Sequence, residues 1–257
     1  SEMEAKAVIA AYGITVPETI LARSADEAAQ AAEKLLASSE KVAVKLASKT
    51  LTHKSDIGGV ILDVATADAA QVAAELIEER VRKSAPDAEI SGFAVQPRIV
   101  RKQAQELILG VTQDPVFGPV LLFGAGGTAV EVVDDTCVAL PPIDEALALE
   151  LISRTRIGKL LAGYRDRKPA DHAATAHALC AISQMVVDLP CIKSMDINPL
   201  LADHEGVIAL DARIEFDPDL VEKKGPHPGL AIRPYPSGWE KEISAGGSNY
   251  LLRPIKP

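Results

Sequence analysis

The sequence predicts a mixed α+β protein built as two α+β subdomains that face each other across a cleft. Three observations point there. Stretches with helical apolar spacing interleave with short strand-like runs along the chain. The middle holds several strand patterns in a row, separated by Asp114-Pro115 and Gly118-Pro119, as in an antiparallel sheet. The chain has 257 residues, 47% apolar and 25% charged, enough to bury a substantial core without disulfides or structural metals.

Residues 2–12 read as a short helix closed by Gly13, a residue suited to a left-handed cap. Val16-Pro17 turns the chain into a strand over 18–22. Ser24, with Glu27 three residues on, has the spacing of a capping box ahead of an Ala-rich helix that runs to residue 37. A strand over 42–46, a polar glycine-ended loop over 50–59 and a strand over 60–64 follow. The next helix, 67–83, has Ala69, Val72, Ala73, Leu76 and Ile77 as its apolar positions. Strands are expected at 93–100, 105–112 and 120–123, with 129–140 also extended. Helices over 144–154 and 171–187 precede a last pair of strands, 192–201 and 207–214, around a polar turn at 203–206. After Asp217 the chain turns rich in Gly, Pro and Ser (E-K-K-G-P-H-P-G, R-P-Y-P-S-G), as in a linker or a tail that hugs the surface.

Composition excludes some functions. The net charge is −9 and no basic stripe is present, which argues against nucleic-acid binding. The longest apolar runs, such as 119–123, are far too short to span a bilayer, and the charged start S-E-M-E-A-K has no signal-peptide core. Cys137, Cys180 and Cys191 lack short paired spacing and read as small buried apolar residues of a cytoplasmic protein.

Four polar clusters interrupt this patterning. In V-A-V-K-L-A-S, Lys45 sits inside an apolar strand, so its ammonium must reach either phosphate oxygens or, from an edge strand, water. L-T-H-K-S-D-I-G-G-V packs His53 with a Lys, a Ser, an Asp and two glycines. Imidazole is a competent nucleophile toward phosphorus near neutral pH, and glycine N–H groups can hold an anion; the alternative is a polar turn with a solvated His. F-G-A-G-G-T is a weak phosphate-loop pattern that also fits a tight turn between strands. In M-D-I-N-P-L, Asp196 and Asn198 lie two apart on a strand and so share a face, and Asp211 of A-L-D-A-R can come opposite. Carboxylate and amide oxygens suit Mg²⁺, although a merely polar strand face has the same composition. Together the clusters supply a cation for phosphate, a glycine loop, an oxygen site for a divalent metal and a phosphoryl acceptor, which are the parts of a phosphoryl-transfer site.

Taken in order, Y-G-I-T-V-P-E, T-H-K-S-D-I-G-G-V, D-P-V-F-G-P-V-L-L-F-G-A-G-G and M-D-I-N-P-L resemble the ATP-grasp domain of NDP-forming acyl-CoA synthetases, relatives of the succinyl-CoA synthetase β subunit, over residues 4–216. The resemblance implies an ATP-grasp fold over 1–217, with subdomains at 18–98, carrying the His loop, and 99–217. It implies that Lys45 contacts nucleotide phosphates, that Gln96 lies in the adenine hinge, that Glu106 sits near the ribose, and that Gly124, Gly126 and Gly127 lie against phosphate. Asn198 and Asp211 would hold Mg²⁺ with Asp196 beside them, ATP or ADP would be the substrate, and His53 would relay phosphate. Acyl-CoA and acyl phosphate would be met through a CoA-binding domain that this chain lacks. The implied reaction converts acyl-CoA, phosphate and ADP reversibly to acid, CoA and ATP. L-A-I-R-P-Y-P and Y-L-L-R-P-I-K-P look like the linker and first strand of a GNAT acetyltransferase domain, so 218–257 would begin such a domain in a longer fusion. One departure stands out. The hinge reads V-Q-P-R where the family has V-Q-E-M, and Pro97 offers neither a carboxylate nor an N–H to adenine. A non-catalytic sensing module of an acetyltransferase is therefore the alternative reading.

Overall fold

A computed structural model of the chain describes all residues except 49, 52, 53, 55, 56, 128–133, 164, 166, 223–226, 234–236, 256 and 257. The first half forms a four-stranded antiparallel sheet in the order β1 (Ile20–Ala22), β4 (Ile90–Pro97), β2 (Val42–Ser48), β3 (Val60–Val64). Two helices, α2 (Ala25–Leu36) and α3 (Ala67–Ser84), cover one face of it. The period of two along β2 assigns its side chains. Val42, Val44 and Leu46 enter the core with the helices, while Ala43, Lys45 and Ala47 take the opposite face. Along β4, Phe93 and Val95 point to the helices, and Gln96 shares the other face with Ala94, which stands across from Lys45.

The second half is a sheet in the order β10 (Arg213–Phe216), β8 (Ile192–Asp203), β5 (Gln105–Asp114), β6 (Gly118–Ala125), β7 (Thr136–Ala139), with β9 (Gly206–Ala209) also paired to β8. Helices α1 (Glu2–Ala11), α4 (Glu145–Ser153), α5 (Arg156–Leu161) and α6 (His172–Asp188) complete its core, to which α1 contributes Ala5 and Ile9. Leu107, Leu109, Phe123 and Ile197 are fully buried there. We expect Leu109→Ala to lower unfolding free energy by about 2–5 kcal/mol in a denaturant titration, since a fully buried Leu leaves both lost transfer energy and a cavity.

Four details depart from expectation. The buried stripe of α3 is Ala70, Ala73, Ala74, Ile77 and Val81, while Val72 is 60% exposed. In an Ala-rich helix, several stripes score alike, and contact with α2 decides between them. Helix α5 was missed because it is a single short turn-and-a-half; Asp135, accepting from the Arg156 and Ile157 N–H groups at 2.7 and 2.6 Å, fixes its start from outside the element. The strand expected over 207–214 is two strands. Strand β9 pairs with residues 200–203 of β8 and β10 with 192–196, so Leu210, Asp211 and Ala212 cross between them. Of the extended stretch expected over 129–140, Thr136–Ala139 is β7, and residues 128–133 lie outside the described residues. Beyond β10, His227 and Leu230 are buried, and Gly229 lies against Gly118 at the start of β6. The chain ends in an exposed hairpin, β11 (Lys241–Ala245) and β12 (Ser248–Leu252), whose strands pair only with each other among the described residues. No described helix is long and apolar enough to cross a membrane.

Candidate functional site

Two polar groups converge where the sheets meet. The first is an ion-pair cluster on the uncovered face of β2. Glu2, in the first turn of α1, accepts from three ammonium groups: Lys6 Nζ at 2.8 Å and Lys45 Nζ at 3.3 Å on Oε1, and Lys54 Nζ at 2.7 Å on Oε2. The Glu2 side chain is only 6% exposed. Burial alone would raise the Glu2 carboxyl, but Lys45, Lys6 and Lys54 together outweigh it and hold it well below the usual carboxylate range. Lys45 also donates to the Leu210 carbonyl at 2.9 Å, and Lys6 to Gln96 Oε1 at 2.7 Å. Burial and the neighbouring Lys45 charge lower the Lys6 ammonium, with Glu2 opposing them. Asp211 follows Leu210 into the same space. Its Oδ1 is buried and has no hydrogen-bond partner among the described residues. Burial, then the Glu2 charge, raise its carboxyl, with the lysines opposing.

The second group lies over β5, β6 and β8. Ile197 points into the core, which turns Asp196 and Asn198 to the other face, as their spacing predicts. Asn198 Oδ1 accepts from the Gly127 N–H at 2.8 Å, and the Gly126 N–H donates to the Glu106 carbonyl at 2.8 Å. Gly127 has φ +87°, which favours glycine, and the Glu106 carboxylate lies over it, with Oε2 2.2 Å from where a Cβ would stand. Gly124 differs. It is buried within β6, where a Cβ would lie 2.2 Å from the Asp135 carbonyl, so its small size serves strand packing. The Leu210 N–H donates to the Pro199 carbonyl of β8 at 3.0 Å, which brings the Leu210–Asp211 crossing against the strand that carries Asn198 and joins the two groups. Burial raises the Asp196 carboxyl, Arg213 lowers it and Asp211 raises it further, so the two aspartates feel each other.

The structure thus gathers Lys45, Gln96, Asp196 and Asp211 into one electrostatic neighbourhood, and Glu106, Gly126, Gly127 and Asn198 into the adjoining one. His53 lies outside the described residues, but the next residue, Lys54, is placed. Sequence reasoning missed Glu2, Lys6 and Lys54. A Glu in a first helical turn reads as a favourable charge for the helix dipole, which hides its other use. The signal for Lys6 was its place on the buried stripe of α1, between Ala5 and Ile9. Among the described residues no group of three or more His, Cys, Asp or Glu is arranged to hold a metal. The oxygen set of Asp211, Asp196 and Asn198 fits a hard cation that takes its remaining ligands from phosphate and water, and the orphaned Asp211 Oδ1 is the atom such a cation would satisfy.

Residues 1–216 match a family described as an ATP-grasp domain. The chain is similar to the beta subunit of acetate–CoA ligase (ADP-forming) II of Pyrococcus furiosus, with 41% identity over 216 residues, covering 83% of this chain and 89% of that one. It is also similar to a solved acetyl-coenzyme A synthetase 1 of Ca. Korarchaeum cryptofilum in complex with coenzyme A and Ca-AMPCP (TM-score 0.79, 36% identity, 84% of this chain and 92% of that one). A second structure of that synthetase, with coenzyme A and Mg-AMPPCP, has its phosphohistidine segment pointing towards the nucleotide-binding site (TM-score 0.70, 31% identity, 84% and 92% covered).

Proposed function

Because this chain belongs to the ATP-grasp family that includes the beta subunits of ADP-forming acetate–CoA ligases, we propose that it is the nucleotide-binding, phosphate-relaying part of an ADP-forming acyl-CoA synthetase, working in the cytoplasm with a CoA-binding partner domain or subunit. The observation that carries this reading is the convergence of Lys6, Lys45 and Lys54 on one buried carboxylate beside the unsatisfied Asp211. That arrangement suits an anion and a divalent cation together, the two halves of a metal–nucleotide complex. We assign residues 18–98 and 99–217 to the two subdomains and 218–257 to a linker and the start of a further, GNAT-like domain.

Lys45 is the phosphate ligand, held in place by the Leu210 carbonyl. The Gly126–Gly127 turn lets phosphate approach the backbone, and Glu106 faces the ribose. Mg²⁺, held by Asp211, Asp196 and Asn198, would neutralise charge on the phosphates. In the direction of ATP formation, the phosphoryl group on His53 moves to a β-phosphate oxygen of ADP. The N–P bond breaks as the new O–P bond forms, and the imidazole keeps the electron pair. We expect calorimetric titration of ATP and ADP into the chain to show Mg-dependent binding, with Asp211→Asn weakening it by about tenfold or more, the scale of one charged contact. Binding that ignores both Mg²⁺ and this substitution, or no binding by a folded sample, would count against the reading.

Pro97 and the residues beyond 216 that the family match leaves out favour one other reading, a nucleotide- or acyl-CoA-sensing module of a GNAT-type acetyltransferase. Acyl-CoA-dependent ATP formation by the full-length protein would exclude it, and its absence would favour it.

A further inference from the structure

We propose that His227 is a pH-sensitive latch: its neutral ring holds the corner at residues 227–230 against the start of β6, and a proton on that ring releases the corner. The latch is independent of the nucleotide site and shares no residue with it.

Three contacts make the corner. His227 is 8% exposed, and its Nδ1 accepts from the Gly229 N–H at 3.0 Å. The Leu230 N–H donates to the His227 carbonyl at 3.2 Å and closes the turn, with Leu230 itself 3% exposed. Main chain then meets main chain. A Cβ on Gly118, which has φ +71°, would lie 1.9 Å from the Gly229 carbonyl oxygen, so glycine at 118 is what lets the corner seat.

An Nδ1 that accepts a hydrogen bond carries no hydrogen, so the neutral ring has its proton on Nε2. Protonation puts a second N–H at Nδ1, facing the Gly229 N–H across the same 3.0 Å. A hydrogen bond becomes a meeting of two donors, and a charge is buried at the same time. The surroundings do not compensate that charge. Residues 227–232 carry no other ionisable side chain, and along the β5–β6 turn, 114–118, the one charged residue is Asp114. Its carboxylate accepts from the Phe117 and Val116 N–H groups at 2.9 and 2.8 Å, which lower it below its ordinary value. Burial lowers the His227 ring below the usual histidine value, and no described charge contributes.

A released ring titrates near the unperturbed value of about 6.5, and the docked ring titrates below it. The released corner therefore binds more protons than the docked one. Docking is at full strength above about pH 6.5 and weakens as pH falls, by up to about tenfold in equilibrium constant per pH unit between the two values. Mild acid thus loosens a point at which the C-terminal segment is pinned to the second sheet.

The test uses the whole chain between about pH 5 and 8, the range in which histidine changes charge. Hydrogen exchange at the Gly229 and Leu230 amides, corrected for the intrinsic pH dependence of exchange, reports docking, with the Leu109 amide in the core as reference. The ring resonances of His227 report its titration. Parent, His227→Asn and His227→Ala are compared. Asn can accept the same N–H two residues on through Oδ1, and it does not titrate. In the parent, protection at both amides should fall as pH drops below about 6.5, with the ring titrating below that value. His227→Asn should keep the protection and lose its pH dependence, and His227→Ala should be unprotected at every pH. The Leu109 amide should stay protected throughout. Parent protection that ignores pH, or a ring that titrates at or above the ordinary histidine value, would overturn the latch. So would a His227→Asn protein with the pH dependence of the parent, which would assign the effect to another group such as Asp114. Should His227→Ala prove unfolded, the parent and His227→Asn still decide.

Discussion

Replacing His53 with Ala abolishes acid-labile phosphate uptake from Mg-ATP and leaves nucleotide binding in place. The chemistry of the proposed relay sets this expectation. A covalent phosphoryl intermediate needs a nucleophile whose neutral form is abundant near pH 7 and whose phosphorylated form still transfers readily; imidazole meets both conditions. In L-T-H-K-S-D-I-G-G-V the hydroxyls of Thr52 and Ser55 require a base to activate them, and the Lys54 ammonium is paired with Glu2, which leaves His53 and the Asp56 carboxylate as the nucleophiles available near neutral pH. In the reading proposed above, phosphate meets Lys45 of β2 and the Gly126–Gly127 turn, and this substitution changes neither. Binding and chemistry therefore separate in this variant. Calorimetry and label uptake on the same preparation test it, and label retained at the parent rate would remove His53 from the mechanism.

Lys45→Met has the second largest expected effect, and it acts on binding. Methionine keeps the length and apolar stem of the lysine, so the β2 face stays packed. Glu2 keeps Lys6 and Lys54 as partners, so no buried carboxylate is left alone. What disappears is one charged donor to phosphate, for which about 1.5–3 kcal/mol is typical, or about 10- to 150-fold in dissociation constant. The loss should be greatest for ATP, smaller for ADP and absent for adenosine, and it should shrink as salt rises, because the missing contact is a charge. An equal loss for adenosine would show that the β2 face had been disturbed instead. Comparing the three ligands in one titration series separates the outcomes.

Much of this site was legible because the informative residues break a pattern that physics otherwise enforces. Lys45 stands in a run that should be apolar throughout, and its strand period sends it to the face the helices leave open. Asp196 and Asn198 flank Ile197, so one buried neighbour fixes the direction of both. The rest was hidden for specific reasons. Glu2 and Lys6 belong to the first helix but serve a sheet whose residues follow much later, and Lys6 meets Gln96 across 90 positions of sequence. No local rule reaches that far. The Asp211 crossing depends on β9 and β10 choosing different stretches of β8, a decision made by pairing and not by the apolar pattern of 207–214. The buried face of α3 was misplaced because Ala offers little contrast between its sides.

The first helix also has a place in time. Its apolar side packs into the core of the second sheet, Tyr12 bonds Asp188 across 176 positions, and the Thr15 carbonyl accepts from Ala209. Glu2 in its first turn reaches the other way to Lys45 of β2, and Lys6, one turn on, reaches Gln96 of β4. During synthesis α1 emerges before both sheets, yet most of what it docks on follows the first sheet. The sheet of β1 to β4 can form from its own residues while α1 waits. A nascent chain released before residue 209 would thus hold a finished first sheet and no assembled lysine cluster, and the last step of folding would be the one that makes the cleft.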